Sequence, residues 1–142
     1  MSARLRLVVA SCLFLSAGVL HGQGAIRTVD KGAQSNVDDR LTASARSEAE
    51  WTALWKKHNF DKPAPHVDFS KEMVVAVFMG SRPTAGFSVE IVAAGERDGK
   101  FVVGYRETQP APGGVSAQVL TAPYHIAVVA KSLLPITFEK QQ

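Results

Sequence analysis

A continuous run of seven apolar residues, Met73–Met79 (MVVAVFM), sets the strictest condition on the fold. Its valines and phenylalanine favour a β-strand, and the absence of polar alternation indicates that both faces of the strand are buried. A strand covered on both faces needs a further layer of structure over it. The run therefore predicts a central strand in a layered domain.

The segment before this run, RSEAEWTALWKKHN, predicts one amphipathic helix. Ser47 and Glu50 form a capping-box pattern at its start, and Asn59 with the prolines that follow marks its end. The apolar residues recur at helical spacing on one face, which indicates that both tryptophans pack into the core. That face consists of Trp51, Leu54, Trp55 and His58.

After Met79 the pattern changes to short strands separated by turns. The predicted strands are 87–94, 101–108, 115–121, 124–130 and 135–138, and Asp98-Gly99 is a strong hairpin signal between the first two. Hairpin connections indicate antiparallel pairing. The fold class expected is mainly β (α+β): a small antiparallel β-sandwich or open barrel of about six strands with one N-terminal amphipathic helix.

The N-terminus has the pattern of an export signal. Arg4 and Arg6 precede an apolar stretch, Leu7–Leu20, and small residues follow it. Residues 1–24 are therefore predicted to be a signal peptide that sends the protein to the periplasm or surface of a bacterium. The sequence VASC, ending at Cys12, also resembles a lipobox, so acylation of Cys12 as a lipid anchor is an alternative to ordinary cleavage. Ordinary cleavage removes the only cysteine and leaves no disulfide.

Residues 25–45 are polar and weakly periodic, and they are expected to be a flexible lead-in with room for a short strand at either end. The β domain is expected over residues 46–140. Without Arg4 and Arg6, 14 of the 16 basic residues remain against 13 acidic ones. Because no basic block interleaved with aromatic residues occurs, the charge pattern disfavours nucleic acid and anionic membranes as partners.

The sequence carries no catalytic motif that we recognise. Ser81, Thr84 and Ser88 have no base at a known spacing, and the histidines match no metal-binding pattern. We therefore expect no cofactor, no metal and no enzymatic activity. A stand-alone hydrolase that uses Ser88 or His125 is kept as a third hypothesis.

Two loops are rich in turn-forming residues: GSRPTAG at 80–86 and QPAPGG at 109–114. Such segments are needed simply to connect strands, but loops on a rigid β scaffold also carry binding surfaces. Composition alone leaves both interpretations open.

Four segments together resemble the C-terminal domain family of the protease-complex subunit PrcB. They are SEAEWTALWKKH, VDFSKEMVVAVFMGSRPTAGFSVEI, ETQPAP and QVLTAPYHIAVVAKSLLPITFE. The resemblance implies an exported, non-catalytic domain that binds a protein partner such as a protease. Where the family's loop usually has T-G-G-Y, this chain has Thr84, Ala85, Gly86 and Phe87, so Gly86 is expected to take the positive φ angle.

The family resemblance and the loops together suggest a partner-binding set, which consists of Arg82, Pro83, Thr84, Gly86, Phe87, Pro112, Gly113, Gly114, Tyr124 and His125. A weaker similarity links RPTAGF and PGG to the wedge loops of chagasin-type cysteine-protease inhibitors. A peptidase inhibitor acting through Arg82–Phe87 and Pro112–Gly114 is therefore the alternative function.

Overall fold

The computed structural model of the protein describes residues 24–142. The expected signal segment up to residue 23, with Cys12, lies outside the described residues. Seven strands and one helix follow in chain order. They are β1 (Arg27–Gly32), β2 (Leu41–Ala45), α1 (Glu48–His58), β3 (Glu72–Phe78), β4 (Ser88–Arg97), β5 (Lys100–Thr108), β6 (Tyr124–Ala130) and β7 (Ile136–Gln141).

The strands form two sheets that pack face to face. One sheet has the order β1-β6-β3-β2 and the other has the order β4-β5-β7. The helix covers the outer face of the four-stranded sheet, and the three-stranded sheet covers its inner face. The expected β-sandwich is confirmed, and the sheets do not close into a barrel.

The central position predicted for the apolar run is confirmed by β3. Alternate side chains of a strand point to opposite faces. Val74, Ala76 and Phe78 pack with the helix, whereas Met73 and Val75 pack against the second sheet. Because both faces of β3 contact an apolar layer, polar residues do not alternate with apolar ones, which explains the unbroken apolar run in the sequence.

The helix also forms as predicted. The Ser47 hydroxyl accepts a hydrogen bond from the backbone N–H of Glu50, and the Glu50 carboxylate accepts one from the N–H of Arg46. The helix buries both tryptophans, and each indole N–H donates to a backbone carbonyl, of Pro65 for Trp51 and of Lys62 for Trp55. These bonds fasten the segment after the helix to its apolar face.

The expectation of a flexible lead-in over residues 25–45 needs correction. The short strands expected at its ends are present, and they form the two edges of the four-stranded sheet: β1 pairs with β6 and β2 pairs with β3. An edge strand has one free side and can carry polar side chains. The segment therefore belongs to the sandwich despite its weak periodicity.

Two further expectations differ from the structure. Residues 115–121 form no strand, and only Thr121 takes part in a β-bridge, with Arg82. The last strand, β7, pairs with β5 in parallel, not antiparallel. The connection from β6 crosses over to the second sheet, so β7 is not the hairpin partner of its predecessor and is not required to pair antiparallel.

The Asp98-Gly99 hairpin joins β4 and β5 as predicted, and both residues have positive φ angles, 53° and 74°. The alternation of buried and exposed side chains in β4 holds only up to Ile91. A bulge between Ile91 and Ala93 shifts the register, so Ala94 is buried and Ala93 is only half-buried. One extra residue is sufficient to exchange the faces of a strand.

Candidate functional site

Three loops meet at one end of the sandwich. Pairing across neighbouring strands joins Gly32 to Tyr124, Tyr124 to Phe78, and Phe78 to Leu41. These pairs bring the connections β1–β2, β3–β4 and β5–β6 side by side. We call this surface the loop end. It consists of residues 33–40, 79–87 and 109–123.

Hydrogen bonds join the loop at 80–86 to the segment that follows the loop at 109–114. Arg82 and Thr121 exchange two backbone hydrogen bonds, of 2.7 and 2.9 Å, and the N–H of Ala85 donates to the carbonyl of Ala117 at 3.0 Å. The Thr121 hydroxyl also donates to the carbonyl of Thr84. The loop at 80–86 and residues 117–121 of the β5–β6 connection therefore belong to a single bonded surface.

Gly86 has the positive φ angle that was predicted for it, 95°. A Cβ atom at this position would lie 2.9 Å from the Cγ atom of Pro110, which belongs to the other loop. The turn conformation and the close approach of the two loops both require the absence of a side chain here.

The third loop is bound to the same surface. The N–H of Ser81 donates to the carbonyl of Asp38, and the Ser81 hydroxyl donates to its carboxylate. Gly80, with a φ angle of 77°, lies so close to this loop that a Cβ atom would be 2.8 Å from the backbone of Asp38 and Arg40. All three loops therefore hold one another in place.

A buried carboxylate lies beneath the loop end. Glu107, whose side chain is 2% exposed, pairs with Arg40 and with Lys140, the latter at 3.0 Å. Burial opposes ionisation of this carboxyl group, but hydrogen bonds and the charges of Arg40 and Lys140 outweigh it and hold its pKa below the ordinary value. The cluster connects the β1–β2 loop to two of the three strands of the second sheet, β5 and β7.

The part of the loop end formed by residues 109–123 is apolar and uncharged. Val115 and Leu120 are fully or largely exposed, at 104% and 74%, and Val119 is about half exposed. The sequence from 109 to 124 contains no charged residue. Isolated exposed apolar side chains are common, but several on one uncharged loop are typical of a contact surface.

Most of the sequence-predicted binding residues lie on this surface. The exposed ones are Pro83, Gly86, Pro112, Gly113 and Gly114. Arg82, Thr84 and Phe87 are half-buried there, and the Arg82 guanidinium lies 5.8 Å from the centre of the Phe87 ring.

Tyr124 and His125 are not on this surface, in contrast to the sequence prediction. They are 7% and 3% exposed and belong to the interior, because β6 is the covered strand between β1 and β3. The Nδ1 atom of His125 accepts a hydrogen bond from the backbone N–H of Ile91, so the neutral ring carries its proton on Nε2, beside the Thr28 hydroxyl.

The structure also brings together a serine, a histidine and an aspartate that the sequence gives no reason to connect. The Nδ1 atom of His58 lies 2.9 Å from the Ser35 hydroxyl, and its Nε2 atom lies 2.9 Å from the Asp30 carboxylate. The ring is 2% exposed and packs against Tyr124, with ring centres 4.2 Å apart. Because substrate has no access to a buried ring, we interpret this row as a bond between the helix end and β1.

Within residues 24–142, no group of three or more His, Cys, Asp or Glu side chains is arranged to hold a metal ion. In the same part of the chain, no helix is long and apolar enough to cross a membrane.

Sequence reasoning missed the exposed apolar residues of 115–120 because their composition is that of a buried strand. The signal that could have found them is the length of the uncharged stretch from 109 to 124, which exceeds what one short strand requires. No sequence signal would have connected Glu107 with Arg40, which lie 67 residues apart.

Comparison with known proteins agrees with the resemblance noted in the sequence. The model of the family described as PrcB C-terminal matches residues 73–130. The match spans β3 to β6 and includes the loops at 79–87 and 109–123. Neither the curated proteins nor the solved structures that were searched gave a match.

Proposed function

Because residues 73–130 match the model of the PrcB C-terminal family, we propose that this protein is a non-catalytic domain that binds another protein through its loop end. The partner is a protease or another protein of the cell envelope, and the chain acts as its accessory or regulatory subunit. The family match supports a role beside a protease, and the lack of a recognised catalytic motif in the sequence agrees with it.

One observation carries the choice of surface. The loops at 79–87 and 109–123 are hydrogen-bonded to each other at one end of the sandwich and expose Val115, Val119 and Leu120 together. Turns that served only to connect strands would need neither the hydrogen bonds between the loops nor the shared exposure of apolar side chains. A pre-shaped apolar surface loses little conformational freedom on binding, which favours affinity.

The location of the protein is part of the proposal. The basic residues and apolar stretch before residue 24 support export to the periplasm or cell surface, and Cys12 would anchor the chain in the membrane if it were acylated. N-terminal sequencing and mass measurement of the mature protein test this. A mature chain that retains Arg4 and Arg6 would contradict export by cleavage.

The binding role is tested by affinity purification of the full-length protein from its native envelope, with partners identified by mass spectrometry. Leu120→Ser removes an exposed side chain of the loop end. Leu133→Ser removes an equally exposed one, at 83%, from the β6–β7 connection at the opposite end. A partner retained by Leu133→Ser and lost by Leu120→Ser supports the proposal, and a partner lost by neither contradicts it.

The adjacency of the Arg82–Phe87 and Pro112–Gly114 loops also favours the alternative of a peptidase inhibitor, because wedge inhibitors insert neighbouring loops together. Purified protein assayed against cysteine, serine and metallo-peptidases tests this. Inhibition at micromolar concentration that Gly86→Ala abolishes would favour inhibition over assembly, and the absence of any inhibition would eliminate it.

A further inference from the structure

Arg82 forms no ion pair among residues 24–142. Arg27, Arg40 and Arg97 each pair with a carboxylate there, whereas Arg46, Arg82 and Arg106 do not. Its Nε atom is buried and has no hydrogen-bond partner among the described residues. A buried guanidinium nitrogen without a partner is costly, and a ligand cannot reach it, so a partner would bind the Nη groups, which are not among the buried atoms without a partner.

The surroundings of Arg82 fix its backbone and place its side chain beside an aromatic ring. Its backbone is bonded on both sides to Thr121, and its guanidinium lies near the ring of Phe87. An arginine held in this way loses little freedom when it binds, and the planar guanidinium can bind both oxygens of a carboxylate at once.

The segment bonded to Arg82 supplies an apolar neighbour for that charge. Residues 115–120 expose Val115, Val119 and Leu120, and residues 109–124 carry no charge of either sign. A ligand that matched the loops at 79–87 and 109–123 would therefore combine one negative charge with apolar side chains close to it, and would lie away from Asp38 and Asp39 of the third loop.

From this arrangement we propose that Arg82 binds a carboxylate of the partner while residues 115–120 cover an adjoining apolar side chain, so that the partner presents an apolar segment containing Asp or Glu. This inference rests on the proposed function, because it specifies the chemistry of the surface through which the partner is bound.

An anionic lipid surface fits the observations less well. Membrane attraction depends on several basic residues acting together, whereas the loops at 79–87 and 109–123 contain one arginine and no lysine. Recognition of a single carboxylate needs only one arginine.

The test uses the purified mature protein and a phage-displayed library of random dodecapeptides. Selection is carried out in parallel on wild type, Arg82→Gln and Arg106→Gln, the last being an exposed arginine on β5 that serves as the matched control. We expect wild type and Arg106→Gln to enrich the same peptides, in which Asp or Glu lies beside apolar residues. Arg82→Gln is expected not to enrich them.

Selected peptides are then synthesised in their acidic form and in a form with Asn or Gln replacing the acid. For wild type, we expect the acidic form to bind about 10- to 100-fold more tightly, as a charge-assisted hydrogen bond implies. Arg82→Gln should bind both forms equally. Equal binding of both forms by wild type, or no enrichment of acidic peptides, would overturn the inference, as would stronger binding to phosphatidylglycerol vesicles than to any peptide.

These results can be separated from the fate of the proposed function. If a protein partner is captured and lost with Leu120→Ser but is unaffected by Arg82→Gln, the docking role stands and the carboxylate inference fails. If no partner is captured, the proposed function fails, and the peptide selection still reports on Arg82.

Discussion

His125 in β6 accepts a hydrogen bond from the backbone N–H of Ile91 in β4, with 2.8 Å between the two nitrogen atoms. The bond crosses between the two sheets and ends at the bulge of β4, where the strand's own pairing is interrupted. A side chain therefore satisfies a backbone group that the irregular strand leaves available, and the sheets are joined below the loop end.

The first prediction concerns the acid stability of this bond. Burial and the charge of Lys31 lower the pKa of His125 to about 4, although the charge of Glu90 acts in the opposite direction. The neutral form of His125 therefore contributes to the free energy of unfolding. This contribution, up to about 3 kcal/mol, is fully present above the ordinary pKa of about 6.5 and is lost as the pH falls towards 4.

Urea unfolding between pH 7 and pH 4 measures this dependence. His125→Gln removes the titrating group and should flatten the loss of stability over this range, whereas His66→Gln, which replaces an exposed histidine, should leave it unchanged. Identical pH profiles for wild type and His125→Gln would contradict the assignment.

The second prediction concerns Gly80. A methyl group there would meet the backbone of Asp38 and Arg40 at 2.8 Å and would also have to adopt a positive φ angle. Gly80→Ala should therefore lower the free energy of unfolding by about 2–4 kcal/mol. Gly99→Ala shares the positive φ angle but meets nothing within 4 Å, and should cost about 1 kcal/mol. Chemical denaturation of both variants tests the comparison, and equal losses would argue against tight loop contact.

The third prediction concerns the row of Asp30, His58 and Ser35. His58→Leu removes both hydrogen bonds and should destabilise the protein by about 1–3 kcal/mol. Ser35→Ala removes one of them and should cost less. Equilibrium unfolding in urea measures both effects. We also expect no turnover of activated esters by wild type. Turnover that Ser35→Ala abolishes would show that the row is a catalytic site.

The fourth prediction concerns Glu107. Replacing Arg40 by methionine removes one of its two cationic partners, so the pKa of Glu107 should rise and the protein should lose about 1–3 kcal/mol of stability at neutral pH. Folding lowers the pKa of Glu107, so its carboxylate stabilises the folded protein at any pH above the pKa that it has in the unfolded chain. This stabilisation disappears as the pH falls through the pKa that Glu107 has in the folded protein.

Carbon-detected NMR titration of the Glu107 carboxyl group measures the first effect, and denaturation measures the second. The matched control is Arg27→Met, which breaks the exposed pair with Glu72 and should change stability by less than about 1 kcal/mol. An unchanged Glu107 pKa in Arg40→Met would be inconsistent with the account.

Local signals in the sequence were sufficient for the elements that depend on their own residues. The helix has its cap at Ser47 and one apolar face, β3 has its unbroken apolar run, and Asp98-Gly99 has the residues that positive φ angles require. In each case the chemistry that stabilises the element lies within a few residues of it.

The features that were missed depend on distant partners. β1 and β2 were expected only as short strands in a flexible segment, but as polar edge strands they are held in a sheet by hydrogen bonds to β6 and β3. β7 was expected as a strand, but its parallel pairing with β5 was not. Residues 115–121 have strand composition, but their bonds go to the β3–β4 loop. The loops of the candidate site were named from the sequence, but their contact with each other was not predictable from either loop alone.

Site-specific photocrosslinking in living cells measures the central claim most directly. A photoreactive amino acid at position 119 lies on the loop end, and one at position 133 lies on an exposed apolar site at the opposite end. The account predicts a discrete protein adduct from position 119, lost when Gly80→Ala disturbs the loops, and no such adduct from position 133. Adducts from position 133 alone, or from neither position, would contradict docking through the loop end.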